Sequence, residues 1–174
     1  MRLFIAMLFD AHTQNVFSEM QEKLTGTGRR VLKDNLHLTL RFLGEGDAQD
    51  VERVCDAMQK ACDVRPFSLR CKGINCFKPS KKGRLIYAQI GGDATLYVLQ
   101  AQLEQKLREK GFAKAEERFI PHVTLCREYQ GELAKHIEEF PFVAERVALM
   151  ESRQDQGVLR YHPIFVKQLT GGDE

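Results

Sequence analysis

His37-Leu38-Thr39-Leu40 and His122-Val123-Thr124-Leu125 repeat one pattern 85 residues apart (122 − 37) in a chain of 174 residues. The separation is close to half the length, so each half carries one copy. Both copies lie in apolar, β-branched surroundings that read as strand. Side chains of a strand alternate between faces, so His and Thr at i and i+2 share one face and the apolar residues between them share the other. Each motif therefore presents an imidazole beside a hydroxyl and anchors them from behind with Leu or Val. Two such strands set face to face would line a cleft with paired histidines and paired hydroxyls.

The halves agree beyond the tetrapeptide. Arg2-Leu3-Phe4-Ile5-Ala6-Met7-Leu8 aligns with Arg84-Leu85-Ile86-Tyr87-Ala88-Gln89-Ile90, and Glu22-Lys23-Leu24 with Gln105-Lys106-Leu107. Pro66-Phe67 and Pro141-Phe142 each open a later strand-like run. Such self-similarity marks a duplicated unit.

Alternation and helical apolar spacing predict strands at 3–9, 36–43 and 67–74 and helices at 12–25 and 47–62 in the first half. The second half reads as strands at 85–90, 120–127, 143–151 and 161–169, with helices at 95–110 and 132–139. Asp47 and Asp93 sit where helix N-caps belong. In the strand at 36–43, strict alternation gives His37, Thr39 and Arg41 to one face and Leu38, Leu40 and Phe42 to the other. The duplication favours an α+β fold of two lobes, each a small sheet with helices outside. Which lobe takes the first and last strands is open.

Composition narrows the function. A hydrophobic content of 43% supports a sizeable core, and a net charge of +2 excludes nucleic-acid binding by bulk charge, leaving only local contacts. The longest apolar run, at 3–9, is too short for a bilayer span and reads as a strand, so no membrane association is expected. Five cysteines, an odd number without a Cys-x-x-Cys, argue against a disulfide framework and for a reducing, cytoplasmic setting. Cys71 and Cys76 have no second ligand pair to complete a metal site.

The motifs permit a specific chemistry. One imidazole, neutral, can take a proton from an attacking water or hydroxyl; the other, protonated, can give one to a leaving oxygen. The threonines can hydrogen-bond non-bridging phosphoryl oxygens and hold phosphorus between the rings without a metal or cofactor. Either motif alone is commonplace in strands. Its repetition on two of the five histidines points to a shared task, whereas His12, His136 and His162 carry no such pattern and read as surface or packing residues.

At these residues the chain resembles the two-histidine phosphoesterase superfamily. Asn35-Leu36-His37-Leu38-Thr39-Leu40-Arg41-Phe42-Leu43-Gly44-Glu45 and Pro121-His122-Val123-Thr124-Leu125-Cys126-Arg127 are similar to its RNA 2′,3′-cyclic phosphodiesterase branch, also described as 2′-5′ RNA ligases. The resemblance covers nearly the whole chain. It implies a bilobal, pseudo-symmetric α+β fold whose two mainly antiparallel sheets face a central cleft. It treats residues 1–174 as one domain of two similar halves, about 1–78 and 79–174, with strand exchange between them allowed. It implies opening of a terminal 2′,3′-cyclic phosphate on RNA to a 2′-phosphomonoester by a monomeric enzyme without metal or cofactor. Carried over by position, His37 is the general acid, His122 the general base, and Thr39 and Thr124 bind the phosphate.

Four further residues are candidates for substrate contact. Arg127 follows the second motif as in the family, and reaching the cleft requires a bend in its strand. Arg41 has the right parity, with a solvated arginine as the alternative. Phe119 and Tyr87 either stack on a base or pack in the core or at the rim. The family often has Trp near the Tyr87 position and this chain has none, which opens the base preference. Lys78, Lys81, Lys82 and Arg84 form a basic loop that either guides RNA or simply keeps the loop solvated. Rival activities are ligation of 2′-5′ ends, hydrolysis of small cyclic or 2′-5′-linked nucleotides, and non-catalytic RNA binding.

Overall fold

The computed structural model describes residues 1–77, 79–133 and 139–171. In chain order the described residues form β1 (Arg2–Leu8), α1 (Ala11–Glu22), β2 (Thr27–Arg30), β3 (Leu38–Glu45), α2 (Ala48–Ala61), β4 (Phe67–Cys76) and β5 (Arg84–Gly92). Then follow α3 (Thr95–Glu109), β6 (His122–Gln130), β7 (Phe140–Ala144), β8 (Arg146–Asp155) and β9 (Val158–Gln168), with one 3-10 turn, Lys33–Asn35, ahead of β3. Aspartates start two of the helices. Asp10 accepts from the Thr13 amide at 2.8 Å, and Asp47 forms a reciprocal capping box with Asp50. Asp93 accepts from the Thr95 amide at 2.9 Å just ahead of α3.

The strands make two antiparallel sheets, ordered β3-β1-β8-β9 and β2-β6-β5-β4-β7, in keeping with the expected α+β architecture. The first sheet carries the first His-x-Thr strand, the second sheet the other. Elements cross between halves: β2 and β4 join the second sheet, while β8 and β9 join the first. Helices cross too. Gln21 of α1 reaches β6 and Glu104 of α3 reaches β3. One apolar core unites them, drawing Leu3, Ile5 and Met7 from β1, Val123 and Leu125 from β6, and Phe17, Met58 and Leu103 from the helices.

Several expectations are corrected. The strand expected at 143–151 is two strands, β7 and β8, which part at Glu145 to join different sheets. β2 was not foreseen, because its four residues, all exposed, carry no apolar alternation. Pro141 and Pro163 lie inside β7 and β9, which is tolerated because both are edge strands. The expected helix at 132–139, with His136, falls largely outside the described residues, as does Lys78.

Candidate active site

Both motif strands are bulged at the same place. Across β1, Ala6 faces Thr39 and Ile5 faces Arg41, so Leu40 has no partner. Across β5, Tyr87 faces Thr124 and Ile86 faces Cys126, so Leu125 has none. This register corrects the alignment of the halves by one residue, matching Ile5 with Ile86 and Ala6 with Tyr87. An extra residue restarts the alternation one step late. Leu38, Leu40 and Arg41 are therefore buried and Phe42 is 66% exposed; Val123, Leu125 and Cys126 are buried and Arg127 is exposed.

The bulges decide three side chains. Arg127 turns onto the face of His122 and Thr124, so the required bend exists. Arg41 turns off the cleft, correcting its expected place: its guanidinium pairs with Glu104 at 2.8 Å and donates to the Ala113 carbonyl. Strict alternation places Phe42 on the buried face; it lies instead beside Phe4 on the face of His37, ring centroids 6.1 Å apart. Phe42 and Arg127 each stand five residues after their histidine, so the repeat itself pairs an aromatic ring with a guanidinium. That equivalence was the signal in the sequence for Phe42.

Carbonyls hold both imidazoles in one tautomer. His37 Nδ1 lies 2.7 Å from the Asn35 oxygen and His122 Nδ1 lies 2.6 Å from the Ile120 oxygen. A carbonyl only accepts, so each Nδ1 carries the hydrogen and each Nε2 is left for chemistry. His37 Nε2 accepts from the Thr39 hydroxyl at 2.7 Å. Aromatic rings buttress both histidines: Phe4 at 5.0 Å and Tyr161 edge-on at 5.2 Å for His37, Phe77 edge-on at 5.1 Å and Tyr87 at 5.4 Å for His122. Tyr87 is buried beneath Phe77, which stacks on it at 4.2 Å, so it supports His122 and offers no free face. Phe77 lies beyond the end of the expected strand, where no alternation marks it. Phe119 meets Tyr97 of α3 at 5.9 Å and packs on the core edge. In the basic loop, Arg84 lies over the Tyr129 ring at 5.7 Å, so it is engaged in packing.

His37 feels the charge of His122, and both rings feel Arg127. Desolvation pushes the His37 pKa down to about 4, against the pull of its bond to Asn35, and the charges of His122 and Arg127 push it further the same way. His122 is lowered by desolvation first and by Arg127 after it, again opposed by its carbonyl partner. Strands β3 and β6 approach to within 8 Å between Cα atoms. The two motif strands are thus neighbours, and Arg127 is close enough for its charge to act on both rings. Among the described residues, no three His, Cys, Asp or Glu side chains converge as metal ligands would.

The LigT-like phosphoesterase family matches this chain over residues 8–87 and 91–159, each stretch containing one His-x-Thr motif. The chain belongs to the LigT-like phosphoesterases. An RNA 2′,3′-cyclic phosphodiesterase of Thermotoga maritima is 33% identical over 155 residues, covering 86% of this chain and 82% of the relative. One from Bacillus subtilis is 28% identical over 141 residues, covering 77% and 76%. Escherichia coli LigT crystallised with 3′-AMP superposes on this LigT-like phosphoesterase with a TM-score of 0.77 at 26% identity, covering 97% of this chain and 98% of that one. TT0787 of Thermus thermophilus shares the fold at a TM-score of 0.83 and 22% identity, covering 99% and 100%.

Proposed function

We infer that this protein hydrolyses the 2′,3′-cyclic phosphate at the end of an RNA to a 2′-phosphomonoester, without a metal or cofactor. The observation that carries the reading is the pair of Nδ1-anchored imidazoles, each two residues ahead of a threonine, on neighbouring strands with the Arg127 charge acting on both. The relatives named RNA 2′,3′-cyclic phosphodiesterase support the substrate class. In this reading His122 Nε2 takes a proton from water as it attacks phosphorus, and His37 Nε2 gives one to the departing 3′ oxygen. Thr39 and Thr124 donate to the non-bridging oxygens, and Arg127 offsets the charge that builds there. Protonation of His37 Nε2 ends its acceptance from Thr39, which frees that hydroxyl for the phosphate.

The free protein has both rings neutral near pH 7, so His37 must be charged before it can act as the acid. An anionic phosphate in the cleft supplies the stabilisation, since it opposes the burial and the like charges that lower His37. The proposal treats residues 1–174 as one domain of two similar halves, about 1–78 and 79–174, working as a monomer because one chain supplies both motifs. Five free thiols support a reducing, cytoplasmic setting. The described residues contain no helix long and apolar enough to cross a membrane. Incubation with an oligoribonucleotide ended in a 2′,3′-cyclic phosphate should yield the 2′-monoester; a 3′-monoester, or unreacted RNA, would overturn the reading.

A further inference from the structure

A cavity of about 230 Å³ opens on the first sheet beside His37. Its floor is apolar: Leu8, Leu36, Met150 and Pro163, with the Tyr161 ring that also packs on His37. Besides His37, four polar residues line it: Arg146 at the start of β8, Gln14 on α1, the exposed Asp34, and Asn35, whose side chain is spent on the Leu159 carbonyl and the Tyr161 amide. Arg146 spends one guanidinium nitrogen on the Phe9 carbonyl at 3.1 Å, and its other donors have no partner among the described residues. Asp10, close enough to feel the Arg146 charge, is itself occupied in capping α1. Along β1 the order on this face is Phe4 beside Phe42, then Ala6 opposite Thr39, then Leu8 above the cavity. The phosphate-binding threonine therefore lies between an exposed aromatic ring and an apolar hollow with a guanidinium at its rim.

We propose that this cavity binds the penultimate nucleotide of the RNA, its base on the Leu8–Met150–Pro163 floor and its linking phosphodiester at Arg146. The inference rests on the function proposed above and extends that site by one nucleotide. The space is smaller than the ~300–1,000 Å³ of pockets that enclose drug-sized ligands, in keeping with one nucleoside. The mixture of apolar floor and single cation matches a stacked base with an anionic linker, since a guanidinium pairs with phosphate through parallel N–H donors. It follows that the enzyme favours a dinucleotide with a cyclic end over a cyclic mononucleotide.

The test compares kcat/KM for a dinucleotide 2′,3′-cyclic phosphate with that for a nucleoside 2′,3′-cyclic phosphate. The wild type should prefer the dinucleotide by about tenfold or more, the worth of one charge-assisted hydrogen bond. Arg146→Gln should collapse that ratio towards one, and Gln14→Trp, which fills the cavity while leaving the Arg146–Phe9 bond in place, should do the same. Arg108→Gln, the same change on the outer face of α3, should leave the ratio at its wild-type value. A wild-type ratio near one, or a ratio unmoved in both cavity variants with melting temperatures preserved, overturns the subsite. Failure of the wild type on both substrates sinks the proposed function itself and is a different result.

Discussion

At the level of single residues, the chemistry turns on the protonation of two imidazoles. His37 is lowered to about 4 by desolvation and His122 is lowered by the same cause, so both are bases in the resting protein. Catalysis as proposed needs one of them charged, and the substrate anion is the only new charge that binding introduces. The alkaline limb of a pH–rate profile reports loss of the proton from the acid, in the free enzyme for kcat/KM and in the complex for kcat. We expect the alkaline limb of kcat to lie at higher pH than that of kcat/KM, the values belonging to the coupled pair. Coincident limbs would mean that substrate does not charge His37. The His-x-Thr spacing was legible because period-two alternation holds from His to Thr, ahead of either bulge. The fates of Arg41, Phe42 and Arg127 were not, because they lie beyond it.

At the scale of the element, the bulges at Leu40 and Leu125 shape the site, and each is braced by a glutamine from the opposite half. Gln100 of α3 donates to the Leu40 carbonyl at 3.3 Å; Gln21 of α1 donates to Leu125 at 2.9 Å and to Val31 at 2.7 Å. Gln21 is 6% exposed, so removing its amide strands the Val31 carbonyl and leaves the Leu125 carbonyl with only the Val31 amide at 3.0 Å. Gln21→Leu should cost about 1–3 kcal/mol in chemical denaturation and lower kcat more than it raises KM. Gln105→Leu, on the exposed side of α3, should cost within about 0.5 kcal/mol. Equal losses in the two variants would remove the brace from the account. No sequence pattern announces these bulges, since leucine suits the buried face whether or not it has a partner across the ladder. The helices were legible from their apolar spacing and aspartate starts. β2 was not, being an exposed strand that exists only because β6 offers it an edge.

Across the whole molecule, each sheet carries one His-x-Thr pair, and strands and helices from the two ends of the chain interlock across the sheets. Half-buried histidines held neutral by desolvation then couple stability to pH. For His37 the folded pKa lies below the ordinary 6.5, so between about 4 and 6.5 the unfolded chain binds more protons than the folded one. Stability from this group is complete above pH 6.5 and is lost as pH falls through that window, with His122 adding in the same direction. His37→Asn should therefore lose less melting temperature than the wild type between pH 7 and pH 5; parallel losses would show that the ring is not held neutral.

The claim beneath all of this is that His37 and His122 act on the same phosphorus, and a double-mutant cycle on a cyclic-phosphate-ended RNA tests it most directly. His37→Ala and His122→Ala should each lower kcat roughly 10²–10⁴-fold, and the double variant should fall well short of the product of the two losses, because the second ring has little left to do once the first is gone. Full activity in either single variant, or two losses that multiply cleanly, would contradict it.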